Sequence, residues 1–272
     1  MTSLPVRCAL FVPASRPERF AKALQTDADI VIIDLEDAVE HALKDQARRN
    51  VREFLSAHPQ ARVWVRVNDA TTRWFNEDLA LCAELPGVVA IVLPKAESAV
   101  QVRQAGNTGK PVVPIVESAR GVVALSELAS APGVMRLSFG SLDLMLEMGT
   151  RPDTAGAATV LDHIRCQILL YSAMYGLQAP LDGVYPDFAN LEGLAAVAAR
   201  SRDMGFAGLL AIHPKQVAII QATFVPSPQE REWATRVVEQ ADATGSLAFQ
   251  VDGKMVDAPV IARARQVLAA CR

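Results

Sequence analysis

Asp34-Leu35-Glu36-Asp37, Glu117 and Asp143 all follow short apolar runs in this chain. Carboxylates gathered at one opening repel one another unless a hard cation neutralises them. Mg2+ suits such a set, because one or two carboxylates hold it while water and substrate oxygens complete its shell. The competing assignment is that Glu36, Asp37, Glu117 and Asp143 serve as helix caps and first-turn acids, which are common after strands. Arg66 closes the run Val63-Trp64-Val65. Its planar fork suits a substrate carboxylate, and a salt bridge to Glu36 or Asp37 is the alternative. Lys95 fits either a Schiff-base lysine or a salt-bridging one. The four histidines form no HxH or HExxH pattern, so zinc is unsupported and His213 reads as packed or capping. No GxSxG motif occurs and no cysteine sits at an obvious strand end beside a histidine, so covalent hydrolase chemistry has no support. The segment Ala14-Ser15-Arg16-Pro17-Glu18-Arg19 opens a helix and carries two arginines. It suits a phosphorylated ligand, although capping accounts for Ser15 and Pro17 equally well.

The elements that must position these groups read as eight strand–helix units. Apolar, β-branched runs recur at Cys8–Pro13, Asp29–Glu36, Arg62–Asn68, Val88–Lys95, Pro111–Glu117, Met135–Gly140, Ala179–Pro186 and Gly208–Pro214. They lack polar alternation, as parallel strands covered on both faces do. Helical spacing or alanine-rich composition marks Pro17–Gln25, Leu43–Ala57, Trp74–Glu84, Ser98–Gly106, Gly121–Ala129, Ala155–Tyr175, Leu191–Met204 and Pro214–Thr223. Eight such units predict a (β/α)8 TIM barrel over residues 1–225, with polar strand ends converging at its C-terminal face. A doubly wound open sheet is the alternative, but no GxGxxG follows the first strand. Residues 226–272 are surplus to the barrel. They read as a helix–hairpin–helix extension: a helix Pro228–Thr244, a hairpin Leu247–Met255 turning at Asp252-Gly253, and a final helix from about Pro259. Such an extension suits a lid, an arm for a neighbouring subunit, or a flap over the barrel's bottom.

Composition narrows the function classes. Of 272 residues 51% are hydrophobic and 21% charged, with a formal net charge of −3. That describes a chain able to bury a large core and without the basic surplus that nucleic acid or an anionic membrane would attract. Cys8, Cys82, Cys166 and Cys271 show no CxxC spacing and read as reduced thiols of a cytoplasmic protein. No run approaches the ~18 apolar residues of a membrane span.

The polar segments, in order, resemble the HpcH/HpaI aldolase and citrate lyase β-subunit family. The segments are Leu10-Phe11-Val12-Pro13-Ala14-Ser15-Arg16-Pro17, Asp34-Leu35-Glu36-Asp37-Ala38-Val39, Arg66-Val67-Asn68, Leu93-Pro94-Lys95, Val116-Glu117-Ser118, Phe139-Gly140-Ser141-Leu142-Asp143-Leu144, Asp182-Gly183-Val184-Tyr185-Pro186-Asp187 and Ala211-Ile212-His213-Pro214. The resemblance implies a Mg2+-dependent carbon–carbon lyase that splits a 3-hydroxyacyl-CoA into an acyl-CoA and a small 2-keto acid. Glu117 and Asp143 would be the metal ligands, Arg66 would grip the keto-acid carboxylate, and Glu36 and Asp37 would orient metal-bound waters. Arg16, Arg19 or Lys22 would meet the phosphates of CoA, in a loop where Ala14 replaces the family's usual glycine. Gly253-Lys254-Met255-Val256-Asp257-Ala258-Pro259 is similar to a family segment that delivers a catalytic aspartate from a neighbouring subunit of a homotrimer. Asp257 is therefore the expected acid/base. Rival expectations are an aldolase of pyruvate and free aldehydes, a subunit acting on an acyl-carrier-protein thioester, and a catalytically dead scaffold.

Overall fold

The computed structural model describes residues 6–245 and 248–271. Eight parallel strands close into a barrel in chain order: β1 (Cys8–Pro13), β2 (Ile30–Asp34), β3 (Val63–Arg66), β4 (Val88–Leu93), β5 (Val112–Val116), β6 (Ser138–Phe139), β7 (Leu181–Asp182) and β8 (Gly208–Ala211). Pairing of Cys8 with Leu209 and Leu10 with Ala211 joins β8 to β1 and closes the ring.

A short 3-10 turn (Pro17–Arg19) leads into α1 (Phe20–Leu24). Then come α2 (Lys44–Ala57), α3 (Phe75–Glu84), α4 (Ala99–Gly106), α5 (Ala119–Val123), α6 (Leu125–Ser130), α7 (Ser141–Glu147), α8 (Ala155–Met174), α9 (Leu191–Met204) and α10 (Pro214–Phe224).

Strands of Val, Ile, Leu and Ala persist here because both faces are covered. Ala9, Ile32, Trp64, Ala90, Val92, Val113, Ile115, Leu181 and Leu210 form one buried cluster. The two-residue strand period then carries the inward line of β2 from Ile32 to Asp34 and on to Glu36. In the same way it runs from Trp64 to Arg66 and from Ile115 to Glu117. An apolar interior thus changes to charge at the C-terminal ends, where barrels hold their chemistry.

Three local expectations are corrected. The sixth and seventh strands are two residues each, not the longer runs Met135–Gly140 and Ala179–Pro186. One cause is that the Gly183 N–H turns to the Asp182 carboxylate at 2.8 Å and leaves the ladder. The single helix expected at Gly121–Ala129 is two short ones, α5 and α6, meeting at Ala124. Ser15 does not cap the first helical turn, whose N-cap position is Arg16.

The chain divides into two compact units, Met1–Gln221 and Ala222–Arg272. The second holds α11 (Pro228–Thr244), β9 (Phe249–Val251), β10 (Lys254–Val256) and α12 (Ala258–Ala270). Leu247, where the hairpin was expected to begin, lies outside the described residues. Asp252 and Gly253 both have positive φ, +51° and +75°, as a two-residue type I′ hairpin turn requires. Ala234, Val237, Ala241, Val251, Val256, Ile261 and Ala264 form this unit's own core. Among the described residues no helix is long and apolar enough to cross a membrane.

Barrel closure depends on Gly208, because a Cβ there would lie 1.9 Å from the Arg7 carbonyl oxygen. Gly208→Ala should therefore cost ~3 kcal/mol or more. Gly156→Ala in α8, whose nearest obstacle is Thr154 Oγ1 at 4.0 Å, should be neutral or stabilising by up to ~1 kcal/mol. Urea unfolding of both variants checks the pair, and equal midpoints would refute the closure argument.

Candidate active site at the barrel mouth

Asp34 and Arg66 occupy paired positions on β2 and β3, so their inward side chains meet. Arg66 Nε donates to Asp34 Oδ1 at 2.7 Å and Nη2 to Oδ2 at 2.6 Å. Asp34 also accepts the backbone N–H of Glu36 at 2.9 Å and of Ala38 at 3.1 Å, which shapes the turn after β2. Burial would raise the Asp34 pKa, but the Arg66 charge and these hydrogen bonds outweigh it and hold the carboxyl below its usual range. Arg66 Nη1 lies 3.0 Å from Glu36 Oε2, and the guanidinium packs over the Phe11 ring at 4.7 Å. Two of the five guanidinium N–H groups go to Asp34 and one nitrogen faces Glu36, so donors on Nη1 and Nη2 remain. Of the salt bridges expected for Arg66, the one to Glu36 is present, none to Asp37 is seen among the described residues, and the unexpected Asp34 takes the bidentate contact.

Glu36 is 4% exposed. Burial raises its pKa, against the opposing charge of Arg66 and the hydrogen bond from Lys95. It holds no helix cap. Lys95 Nζ donates to Glu36 Oε1 at 2.5 Å and lies 3.6 Å from Asp37 Oδ1. Burial of Lys95 would favour the neutral amine, yet Glu36 outweighs it and the pKa is raised. A nucleophilic amine needs the opposite shift, so of the two expectations for Lys95 the salt bridge is the one found. Behind this layer the buried Lys44 donates to the Leu35 and Glu36 carbonyls, both at 2.7 Å. Asp78 receives the Asn68 backbone and side-chain N–H groups at 2.8 and 2.7 Å, bracing the end of β3.

Glu117 stands one residue beyond β5, 6% exposed. Burial is the main cause that pushes its pKa up to about 8, with Glu36 and Asp143 adding to it and the Lys95 N–H and Arg66 opposing it. Its Oε1 accepts the Lys95 backbone N–H at 2.7 Å. A Cβ on Gly140 would lie 2.3 Å from its Oε2, so the glycine of Phe139-Gly140-Ser141 is there for the carboxylate beside it. Asp143 sits in the first turn of α7, a helix the strand-and-helix reading did not contain. Glu117, Asp143, Arg66 and Asp37 line one cleft of about 140 Å³, with an apolar floor of Phe11, Ile115, Phe139, Val184 and Leu210. Two carboxylates beside water and ligand oxygens are a donor set for a hard cation. Among the described residues no group of three or more His, Cys, Asp or Glu is placed to hold a metal ion by itself.

Arg16, Arg19 and Lys22 lie after β1, all exposed, and among the described residues none has a side-chain partner. His213 stacks on Phe188 with ring centroids 4.7 Å apart, and its Nδ1 accepts the Lys215 backbone N–H at 3.2 Å, the packed and capping role expected of it. Asp257 belongs to the second unit. It is the N-cap of α12, where Oδ1 accepts the Val260 N–H at 3.4 Å. Of the buried thiols, Cys8 is pushed up to about 12 by burial and by the nearby Asp29 charge, and burial raises Cys82 as well, so neither is a ready nucleophile.

The model of the HpcH/HpaI aldolase/citrate lyase family matches residues 7–214. The chain belongs to this family. It is 37% identical over 262 residues to the citrate lyase subunit beta-like protein of Mycobacterium tuberculosis, covering 95% of this chain and 93% of the relative. It is 36% identical over 274 residues to the (3S)-malyl-CoA thioesterase of Cereibacter sphaeroides, covering 97% and 94%. Among solved structures, CitE of Mycobacterium tuberculosis in complex with magnesium, acetoacetate and coenzyme A superposes with a TM-score of 0.86 and 36% identity, covering 99% of this chain and 98% of that one.

Family membership makes the chain a citrate lyase β-subunit-like enzyme of the lyase class. Asp34 and Gly140, quoted in the motifs, are given no role by sequence reasoning, and Lys44 is not singled out. The signal for Asp34 was present, since it opens Asp34-Leu35-Glu36-Asp37 two residues before Glu36, on the same face of an extended strand.

The raised Glu117 pKa has a measurable consequence. The folded chain retains a proton on Glu117 that the unfolded chain releases near the ordinary value of 4.5, so stability falls as pH rises from about 4.5 to about 8. Metal-free Glu117→Gln should melt several degrees above wild type at pH 8, equivalent to roughly a few kcal/mol, and at the same temperature near pH 5. Thermal denaturation in EDTA checks this, and no gap at pH 8 would show that burial does not strain the carboxylate.

Proposed function

We propose that the barrel mouth is a Mg2+-dependent carbon–carbon lyase site that cleaves, or forms, a 3-hydroxyacyl-CoA such as citramalyl-, malyl- or citryl-CoA. The observation that carries this reading is the single small cleft shared by Glu117, Asp143 and Arg66, in a chain so similar to a relative solved with magnesium, acetoacetate and coenzyme A. Glu117 and Asp143 would hold the metal. The pair fits a cation, because the burial and like charge that raise the Glu117 pKa are penalties a divalent ion removes. Bound Mg2+ supplies Lewis acidity for the negative charge that develops on a substrate oxygen.

The chain's own residues supply the rest. The remaining Nη1 and Nη2 donors of Arg66, held rigid by Asp34, take the carboxylate of the 2-keto-acid half, as a planar fork does. A cleft of about 140 Å³ suits an acid as small as pyruvate, glyoxylate or oxaloacetate. Glu36 and Asp37 orient water at the rim. The exposed cations Arg16, Arg19 and Lys22 face the CoA phosphates. Asp257 protonates the departing enolate carbon, or removes the α-proton in the condensing direction, with the second unit of one copy serving the barrel of a neighbour in a homotrimer. Its cap uses Oδ1 alone, which leaves Oδ2 for proton transfer.

A second reading is supported by the relative named (3S)-malyl-CoA thioesterase: hydrolysis of the thioester with the carbon skeleton intact. The two differ in product. Incubation with malyl-, citramalyl- and citryl-CoA should yield acetyl-CoA and a 2-keto acid, only with Mg2+, and Asp257→Ala should slow turnover by about 10²–10⁴-fold. Free CoA with the intact hydroxy acid would favour the thioesterase. Turnover of free aldehydes with pyruvate but of no CoA ester would favour an aldolase, and activity confined to a thioester on acyl carrier protein a lyase-complex subunit. Gel filtration of the wild type as a monomer would sink the shared-site role of Asp257.

A further inference from the structure

Lys95 has a φ of +46°, the left-handed conformation that costs a side-chain-bearing residue free energy and persists where its surroundings demand it. Its two polar ends go to different strands. The N–H meets Glu117, beyond β5, at 2.7 Å, and Nζ meets Glu36, beyond β2, at 2.5 Å. β2 and β5 are not neighbours in the barrel, since β3 and β4 stand between them. At ordinary negative φ the N–H and Cα–Cβ bonds point to nearly the same side, whereas at positive φ they diverge. The second arrangement is the one present, and from it one residue after β4 reaches both carboxylates.

We propose that Lys95 is the positioning residue of the site. Its left-handed backbone engages Oε1 of Glu117 and leaves Oε2, lying over Gly140, as the oxygen offered to a metal ion, while its ammonium holds Glu36 beside Arg66. This inference rests on the reading of Glu117 as a metal ligand. The backbone and the side chain of Lys95 therefore have separable duties. Glycine at this position keeps the left-handed turn and the amide but removes the ammonium. Valine removes the ammonium and resists the turn.

The test is Mn2+ binding to the substrate-free protein, followed by the electron paramagnetic resonance signal of free Mn2+. Lys95→Gly should bind Mn2+ within about threefold of wild type, whereas Lys95→Val should bind about tenfold or more weakly, the scale of losing a group that orients a ligand. In turnover, Lys95→Gly should raise KM for the keto acid more than it lowers kcat, because Glu36 and Arg66 are loosened while the metal stays. Equal Mn2+ affinity in Lys95→Val and wild type would overturn the proposal, as would equal weakening in the glycine and valine variants. Should Lys95→Val fail to give a cooperative melt, Lys95→Asn and Lys95→Ala make the same comparison. Asparagine tolerates the left-handed region and should bind the more tightly, and parity between the two would overturn the proposal. A wild type that binds no Mn2+, with Glu117→Gln indistinguishable from it, would overturn the metal reading itself and this inference with it.

Discussion

Asp34 and Arg66 face each other across β2 and β3, and the doubled hydrogen bond between them is the contact around which the other charges of the barrel mouth are arranged. A pair so deeply buried gains little net stability from its attraction, because both ions lose water. Its value lies in rigidity. Asp34 uses its two oxygens for the guanidinium and for two backbone N–H groups, so the arginine fork and the turn carrying Glu36 and Asp37 are set together. Removing either partner would leave an uncompensated charge in a nearly dry place, a change on the order of 3–5 kcal/mol.

From that pair the charges alternate outward. Arg66 faces Glu36, Glu36 holds the Lys95 ammonium, and the Lys95 amide reaches Glu117. Asp34, Glu36 and Asp37 each lie within 4 Å of a cation, Arg66 or Lys95. Glu117 has instead a backbone amide, and burial with two acids in its field pushes its pKa up to about 8. Strained titration of this kind is what functional sites show when a charge from outside the chain is still to come. The family's solved relative with magnesium, acetoacetate and coenzyme A indicates the class of charge. The glycine at 140 belongs to the same logic, since a side chain there would occupy the space of the Glu117 carboxylate.

How much of this is legible before folding depends on the range of the interaction. The strand–helix alternation, the parallel barrel and the hairpin turn at Asp252-Gly253 follow from apolar runs, helical spacing and residues that accept positive φ, all local properties. So does the list of polar strand ends, and order along the chain tied Glu117, Asp143 and Arg66 to one family pattern. The short sixth and seventh strands escaped this reading because a side chain, Asp182, competes with the ladder for the Gly183 amide. The helix bearing Asp143 escaped it because seven residues are too few for a periodic pattern to stand out.

By itself, then, the sequence determined the fold class and the chemical kinds of group gathered at the barrel mouth, because hydrophobic periodicity and residue type are written along the chain. Only the tertiary structure decided which charge meets which. That Arg66 takes Asp34 through two hydrogen bonds and Glu36 only at Nη1 depends on the register between β2 and β3. That Lys95 is an ion-paired ammonium rather than a nucleophile depends on Glu36, 59 residues away in the chain. That Glu117 is protonated more readily than a solvated acid depends on burial. These are through-space quantities, set by the closure of eight strands into one ring, and no spacing along the chain encodes them.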